Sequence, residues 1–439
     1  MIAIVESRAD RASVHICEQL RSLTDWIERE DPDRPAADGG GTYYCLEGAE
    51  LRSFDDLHLD LERPAEAFDC DPELLVFASR HSGDTGALLT GHFTGNFGSA
   101  EFGGEDDALA EACPNALAEL LAAFEAYAPE GYDVGMECTH HGPSDVGCPS
   151  LFAELGSDDE QWDDPDGAAA VARAILELRG VDAHRDRQVV GFGGNHYAPR
   201  FQRVVEDTEW AVGHIAADWV LESMGHPETH REVIERAFEA SGADLVVLDG
   251  EWPVLEDLLD DLDRRIVGET WLRAVGDRPL ELVDAVESEL GRVEEGVRFG
   301  DRREESFVVR ELPADLLETA QGIDPDRVRK LVERHAVAFE TENAGSRVGS
   351  RVALPDSGMK RELIEAVADV LEAKFERVAV EDDAVVAEEL AFDPELARTL
   401  GVPEGPAFGA LSSGEAVTVD GERIDPEVVH RERTHRFEY

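Results

Sequence analysis

Lysine is nearly absent from this chain. Among 439 residues there are three, Lys330, Lys360 and Lys374, and arginine supplies the rest of the 40 basic side chains. Acidic residues number 98, the formal charge is −58, and aromatics make up 7%. A disordered chain could carry that charge, but 42% hydrophobic content in regular runs excludes disorder. High acid with little lysine is the composition of proteins that work in concentrated salt, where ions screen the self-repulsion. The charge therefore reports the solvent and does not exclude a nucleic acid partner.

Other absences narrow the field. No apolar run approaches the ~20 residues of a membrane helix. The opening MIAIVESRADRAS meets Glu6 too early for a secretory leader. The chain is expected to be soluble, cytoplasmic and monomeric, with no membrane partner. Its six cysteines (Cys17, Cys45, Cys70, Cys113, Cys138 and Cys148) fall in the first 150 residues without a CxxC pair, and read as reduced thiols. There is no HExxH. GFGGN is not GxGxxG and opens no clear helix, and Ser82 and Ser144 lack a GxSxG setting. Zincin, dinucleotide-binding and nucleophile-elbow readings are set aside.

At roughly 100–200 residues per domain the length implies two or three domains. Strand-like runs at 2–5, 43–46, 57–61, 74–78, 88–93, 134–138, 188–192 and 243–248 alternate with helical patterns at 15–27, 115–127, 165–178 and 228–240. This alternation predicts an α/β fold with a mostly parallel sheet flanked by helices over residues 1–275. Beyond that point cysteine stops, histidine thins and charge grows dense. Residues 276–439 read as a C-terminal α+β extension, with helices at 324–339 and 360–375.

Three segments carry chemistry because each follows a strand directly. LLVFA runs into Ser79-Arg80-His81-Ser82-Gly83-Asp84-Thr85-Gly86, VGMEC into Thr139-His140-His141-Gly142-Pro143, and QVVGF into Gly193-Gly194-Asn195-His196. Ligands of an open parallel sheet bind beyond the carboxyl ends of its strands, so the three loops should converge. A lone histidine is more often packed or hydrogen-bonded than a ligand, and adjacent His140 and His141 need not share one. Four histidines on three loop tips instead favour a metal or acid–base cluster of His81, His140, His141 and His196. Imidazole with carboxylate suits zinc, with Glu137, Asp84 and Cys138 as nearby candidates. Cys138 could be a nucleophile, but it ends an apolar strand and reads as buried. Gly83, Gly86, Gly193 and Gly194 allow close backbone approach to a ligand or, as readily, plain turns. Arg80 and Arg200 flank the histidine loops and suit an anion such as phosphate, or a local salt bridge.

The same segments, SRHSGDTGALLTGHFTGNFG, ECTHHGP and GFGGNHYAPRF, resemble the signature stretches of the archaeal and plant D-aminoacyl-tRNA deacylase family, in order and in spacing. The opening IAIVESRAD matches as well. The resemblance covers about residues 1–275, and the composition marks a form from a salt-loving archaeon. It implies a fold like peptidyl-tRNA hydrolase and the nucleoside phosphorylases. It also implies a Zn2+-dependent hydrolase that cleaves the ester between a D-amino acid and tRNA. On that reading His81, His140 and His141 handle water and protons, Asn195 or loop N–H groups hold the oxyanion, and the arginines and glycines meet the substrate. Assistance by a tRNA hydroxyl, without metal, is the other route. Compact family members end near the first domain's end, which leaves residues 276–439 as an extension, RNA-facing or not. Within it, residues 400–429 resemble a segment of the ribonuclease Z family. No HxHxDH motif accompanies them, and a plain β-hairpin is the preferred reading. The competing classes are a nucleotide- or phosphoester-binding module and a structural zinc domain without hydrolase activity.

Overall fold

A computed structural model describes residues 1–69 and 71–439, and Cys70 lies outside the described residues. The chain divides into two compact units, Met1–Gly276 and Asp277–Tyr439.

The first unit grows from the apolar run Ile2–Ser7, buried at every position. Such strands need neighbours on both edges and cover on both faces. Ile2–Ser7 pairs in parallel with Ala49–Phe54 and with Leu74–Arg80. The full sheet has eight strands, in the order Ile27–Asp31, Gly41–Leu46, Ala49–Phe54, Ile2–Ser7, Leu74–Arg80, Ser150–Gly156, Leu88–His92, Asp133–Met136. Its centre is parallel, but Leu88–His92 runs antiparallel to Ser150–Gly156. Helix Arg11–Leu23 is capped by Asp10, whose carboxylate accepts from the Ala12 and Ser13 amides. It stops at Leu23 instead of reaching Ile27, because Thr24 is extended and Ile27–Asp31 joins the sheet edge. Helix Pro114–Tyr127 starts on a proline that lacks only an amide the first turn could not use.

The expected single sheet is two. Gln188–Gly193 belongs to a separate four-stranded, all-parallel sheet in the order Ala211–Ala216, Gln188–Gly193, Leu245–Asp249, Arg265–Ile266. Its core gathers Val190, Phe192, Ala216 and Phe238. Both sheets remain within one α/β unit, and backbone hydrogen bonds join them where it matters. Cys138 N–H donates to His196 O, and Thr139 N–H to Ile215 O, each at 2.9 Å. Residues 57–61 alternate like a strand but hold the 3-10 turn His58–Asp60. The nearby strand Ala49–Phe54 already has neighbours on both edges, so no ladder was open to them.

The second unit is α+β. Its antiparallel sheet, Val297–Phe299, Ala338–Glu342, Arg347–Leu354, Val308–Glu311, packs helices Ala314–Ile323, Pro325–His335 and Met359–Leu371. The helix expected over 324–339 ends at His335, and Ala338–Glu342 becomes a strand. A three-stranded sheet ends the chain with Ala384–Phe392 against His430–Glu438. Between those two strands, residues 400–429 contain helix Pro406–Ser412 and the hairpin Val417–Val419/Glu422–Ile424. These close a small core of Ala397, Val402, Leu411, Ile424 and Val429.

Candidate active site

Strand register sets the floor of the site. Phe152 lies opposite Phe77 on one side and His92 on the other, while Glu154 lies opposite Ser79 and Thr90. Because side chains alternate along a strand, Phe152 and Glu154 share a face with His92, and His81 continues the row two residues past Ser79. The His92 ring stacks on Phe152 at 5.0 Å and 7°. Its Nε2 lies 3.7 Å from Glu154 Oε1. Both side chains are buried.

On this floor the three loops meet. His140 packs against His92, His141 and His196 at 4.5–4.6 Å between ring centroids. Glu137, 2% exposed, is the hub. Its Oε2 accepts from His196 Nε2 at 2.7 Å and lies 3.7 Å from His81 Nε2, while Oε1 is buried without a partner. His196 turns its other nitrogen, Nδ1, to Cys138 Sγ at 3.6 Å. His81 is held on both sides, by Ser157 Oγ at Nδ1 (3.0 Å) and Tyr197 Oη at Nε2 (3.3 Å). His140 and His141 anchor Nδ1 on the Cys138 and Gly142 carbonyls, which leaves Nε2 of each for chemistry. Among the described residues two groups of donor atoms come close enough to hold a metal ion: His92, His140 and His141, and Cys138, His140 and His196.

Burial and mutual charge divide these groups. Burial and the neighbouring histidines hold His140 well below the ordinary imidazole range and push His141 down to about 3, so both stay neutral. Burial would lower His196 too, but Cys138 and Glu137 raise it to about 10. Glu137 moves the other way: burial would raise it, and the His196 hydrogen bond and surrounding imidazoles hold it down. Burial raises Glu154 against the pull of His92, and that pair is built to share one proton. Strongly perturbed titratable groups gathered in one cluster mark a candidate functional site.

Beside the cluster, His214 is fully buried between Thr139 Oγ1 and the Ala110 carbonyl, and burial lowers it to about 4. A depressed histidine contributes stability that is present above its unfolded pKa of 6.5 and is lost as pH falls towards the folded value. Between pH 7 and pH 5 the wild-type chain should therefore lose about 2 kcal/mol more than His214→Gln. Urea unfolding in concentrated KCl at the two pH values measures this, and equal losses would contradict it.

The structure brings His81, His140, His141, His196, Glu137 and Cys138 together. Gly83 joins them: an added Cβ would stand 3.0 Å from His81 Cε1 and 3.2 Å from Tyr197 Oη. Asn195 sits at the rim, its Oδ1 accepting the Tyr197 amide and its Nδ2 left to donate. Arg80 is exposed, its guanidinium 5.4 Å above the Trp162 ring. Other expectations need correction. Asp84 is exposed and belongs to neither metal-capable group. Arg200 is committed to Asp249 at 3.3 Å and Glu269 at 3.2 Å, the local salt bridge that an acid-rich chain favours. Gly193 and Gly194 face Asp249, not a ligand, and the Gly194 amide donates to Asp218. Gly86 has φ +81° in open space, a turn glycine.

Sequence reasoning missed His92, Glu154, Gly156, Ser157 and Tyr197. Glu154 left a signal, as the one acid inside the apolar run SLFAELG. Gly156 left none. An added Cβ there would stand 2.6 Å from His81 Nδ1, and only the fold reveals the contact. A cavity of about 390 Å3 beside Leu59, Arg63 and Ser144 touches no histidine. A smaller one of about 90 Å3 opens on His141, His58 and Arg80.

An α/β unit that gathers neutral and charged imidazoles, a thiol and two buried acids where its sheets meet defines an enzyme of acid–base or metal-assisted chemistry. Comparison makes the class specific. Residues 68–263 match the family described as D-aminoacyl-tRNA deacylase. The D-aminoacyl-tRNA deacylase of Halorubrum lacusprofundi is 54% identical, over 100% of this chain and 96% of its own. That of Natronomonas pharaonis is 54% identical over 100% of both. A solved structure, described as a conserved protein of unknown function, AF0625, is 28% identical with a TM-score of 0.55. It covers 61% of this chain and 94% of its own, so it is a shorter protein, whereas the two relatives span both units. The chain belongs to the D-aminoacyl-tRNA deacylase family.

Proposed function

We propose that the histidine cluster carries the family's reaction in this chain: hydrolysis of the ester that joins a D-amino acid to tRNA, releasing both. The observation that supports it is the Glu137–His196–Cys138 chain, packed against His140 and reaching His81 through Glu137. Zinc is the cofactor these residues fit. Cys138, His140 and His196 offer the sulfur and nitrogen donors it prefers, and Glu137 orients His196 as carboxylates orient metal-ligating histidines. Zinc held there supplies Lewis acidity toward the ester carbonyl and toward water.

The protein's own groups do the rest. Glu137 and His196 hold a proton between Oε2 and Nε2. His81, fixed by Ser157 and Tyr197, stands 3.7 Å from the same carboxylate to pass it on. Asn195 Nδ2 reaches outward for the oxyanion. Arg80 meets a tRNA phosphate. The reading takes the enzyme as a monomer acting in the cytoplasm, where its tRNA substrate is. Among the described residues no helix is long and apolar enough to cross a membrane.

The test is zinc content measured alongside deacylation of D-tyrosyl-tRNA and L-tyrosyl-tRNA in concentrated KCl. Cys138→Ser should lose zinc and D-specific activity together. Full activity in the zinc-free wild type would sink the metal and leave Glu137 and His196 to act with a tRNA hydroxyl. Equal rates on both enantiomers would sink the assignment of substrate.

A further inference from the structure

Water-exposed large apolar side chains are sparse on this surface. Among the described residues the exposed ones include two aromatics, Phe102 at 62% and Trp219 at 48%. Both stand beside the histidine cluster. Trp219 lies 6.4 Å from the His196 ring, tilted by 32°. Phe102 holds the Gly142 amide on its carbonyl, next to His141. The other tryptophans are buried or half-buried: Trp210 and Trp271 in the core, Trp26 and Trp162 through ring N–H bonds to the carbonyls of Leu20 and His81, and Trp252 packed on the second sheet's core.

Trp219 is also held in place. It is the second residue of helix Asp218–Met224, and its neighbour Asp218 is tied twice to the loop that bears His196. The Gly194 amide donates to Asp218 Oδ1 at 2.7 Å, and the Asp218 amide donates to Gly194 O at 2.8 Å. A large indole, exposed yet fixed in register with a reactive imidazole, offers an open π-face at the mouth of the site. The substrate brings a matching surface. The scissile ester sits on the ribose of the unpaired terminal adenosine of tRNA, so one purine must lie within a nucleotide's length of the reacting carbonyl. Single-stranded RNA ends are recognised by stacking on aromatic side chains, a contact that needs few charges. Stacking also persists in concentrated salt, where phosphate contacts are screened.

We propose that Trp219 is the stacking surface for the terminal adenine of the aminoacylated tRNA and so positions the ester over His196. This rests on the deacylase reading above. With the full chain in concentrated KCl, Trp219→Ala should raise KM for D-tyrosyl-tRNA by about 5- to 150-fold and leave kcat and zinc content unchanged. Trp219→Phe, which keeps a ring, should restore most of the loss. The trinucleotide CCA should quench wild-type fluorescence but not that of Trp219→Phe, and ribose 5-phosphate, which has no base, should quench neither. An unchanged KM in Trp219→Ala would overturn the proposal, as would a fall in kcat with zinc content, which would make the indole a prop for His196. A self-associating wild type that dissociates in Trp219→Ala at constant KM would assign the ring to a protein contact instead. Should the wild type fail to deacylate D-tyrosyl-tRNA, the functional reading falls, and the CCA titration alone decides whether the stacking surface exists.

Discussion

Glu137→Gln should slow deacylation of D-tyrosyl-tRNA by about 10²–10⁴-fold, the range expected when a positioned acid–base group is removed. The carboxylate is nearly inaccessible, accepts from His196 at 2.7 Å and lies 3.7 Å from His81. Glutamine keeps the shape but not the charge. It cannot accept the His196 Nε2–H as an anion would, and it cannot take up a proton. Single-turnover rates in concentrated KCl, with thermal unfolding as the control for folding, measure the effect. A folded variant with wild-type rate would remove Glu137 from the chemistry.

Gly156→Ala should lose about 10²-fold in kcat, the scale of a 1 Å misplacement of a catalytic group. The added methyl would stand 2.6 Å from His81 Nδ1 and 2.7 Å from His81 Cβ. Those atoms sit close to the main chain, so relief requires His81 to leave its place between Ser157 and Tyr197. Overpacking of this kind also costs about 1–3 kcal/mol of stability. Gly268→Ala is the control, since a Cβ there meets nothing within 4 Å. Equal activity in the two variants would show that His81 can move without consequence.

Much of the site could be read from the chain because local order carries it. LLVFA, VGMEC and QVVGF are apolar enough to be buried, and each runs into a histidine-bearing turn. Each of His81, His140, His141 and His196 therefore follows an apolar strand. Asp133–Met136 runs opposite to Leu74–Arg80, however, so the loops do not leave one common carboxyl end and only the tertiary fold brings them together. Arg200 could not be read the same way, since the carboxylates that claim it, Asp249 and Glu269, lie 49 and 69 residues further on. The same distance hid the fate of Gly193 and Gly194, whose open sides are filled by Asp249.

What the sequence by itself determined was chemistry available and chemistry excluded: an α/β chain adapted to salt, imidazoles after strands, no zincin, dinucleotide or nucleophile-elbow motif. Periodicity and composition are local, and these conclusions need only local facts. Tertiary structure alone decided which groups work together. The split into two sheets, the antiparallel pairing of Leu88–His92 with Ser150–Gly156 that brings His92 to Glu154, and the space Gly156 leaves for His81 all depend on pairing between distant segments. Register between strands is set by the whole core, and a one-residue slip would turn Glu154 to the opposite face. No stretch of sequence contains that information until the strands have paired.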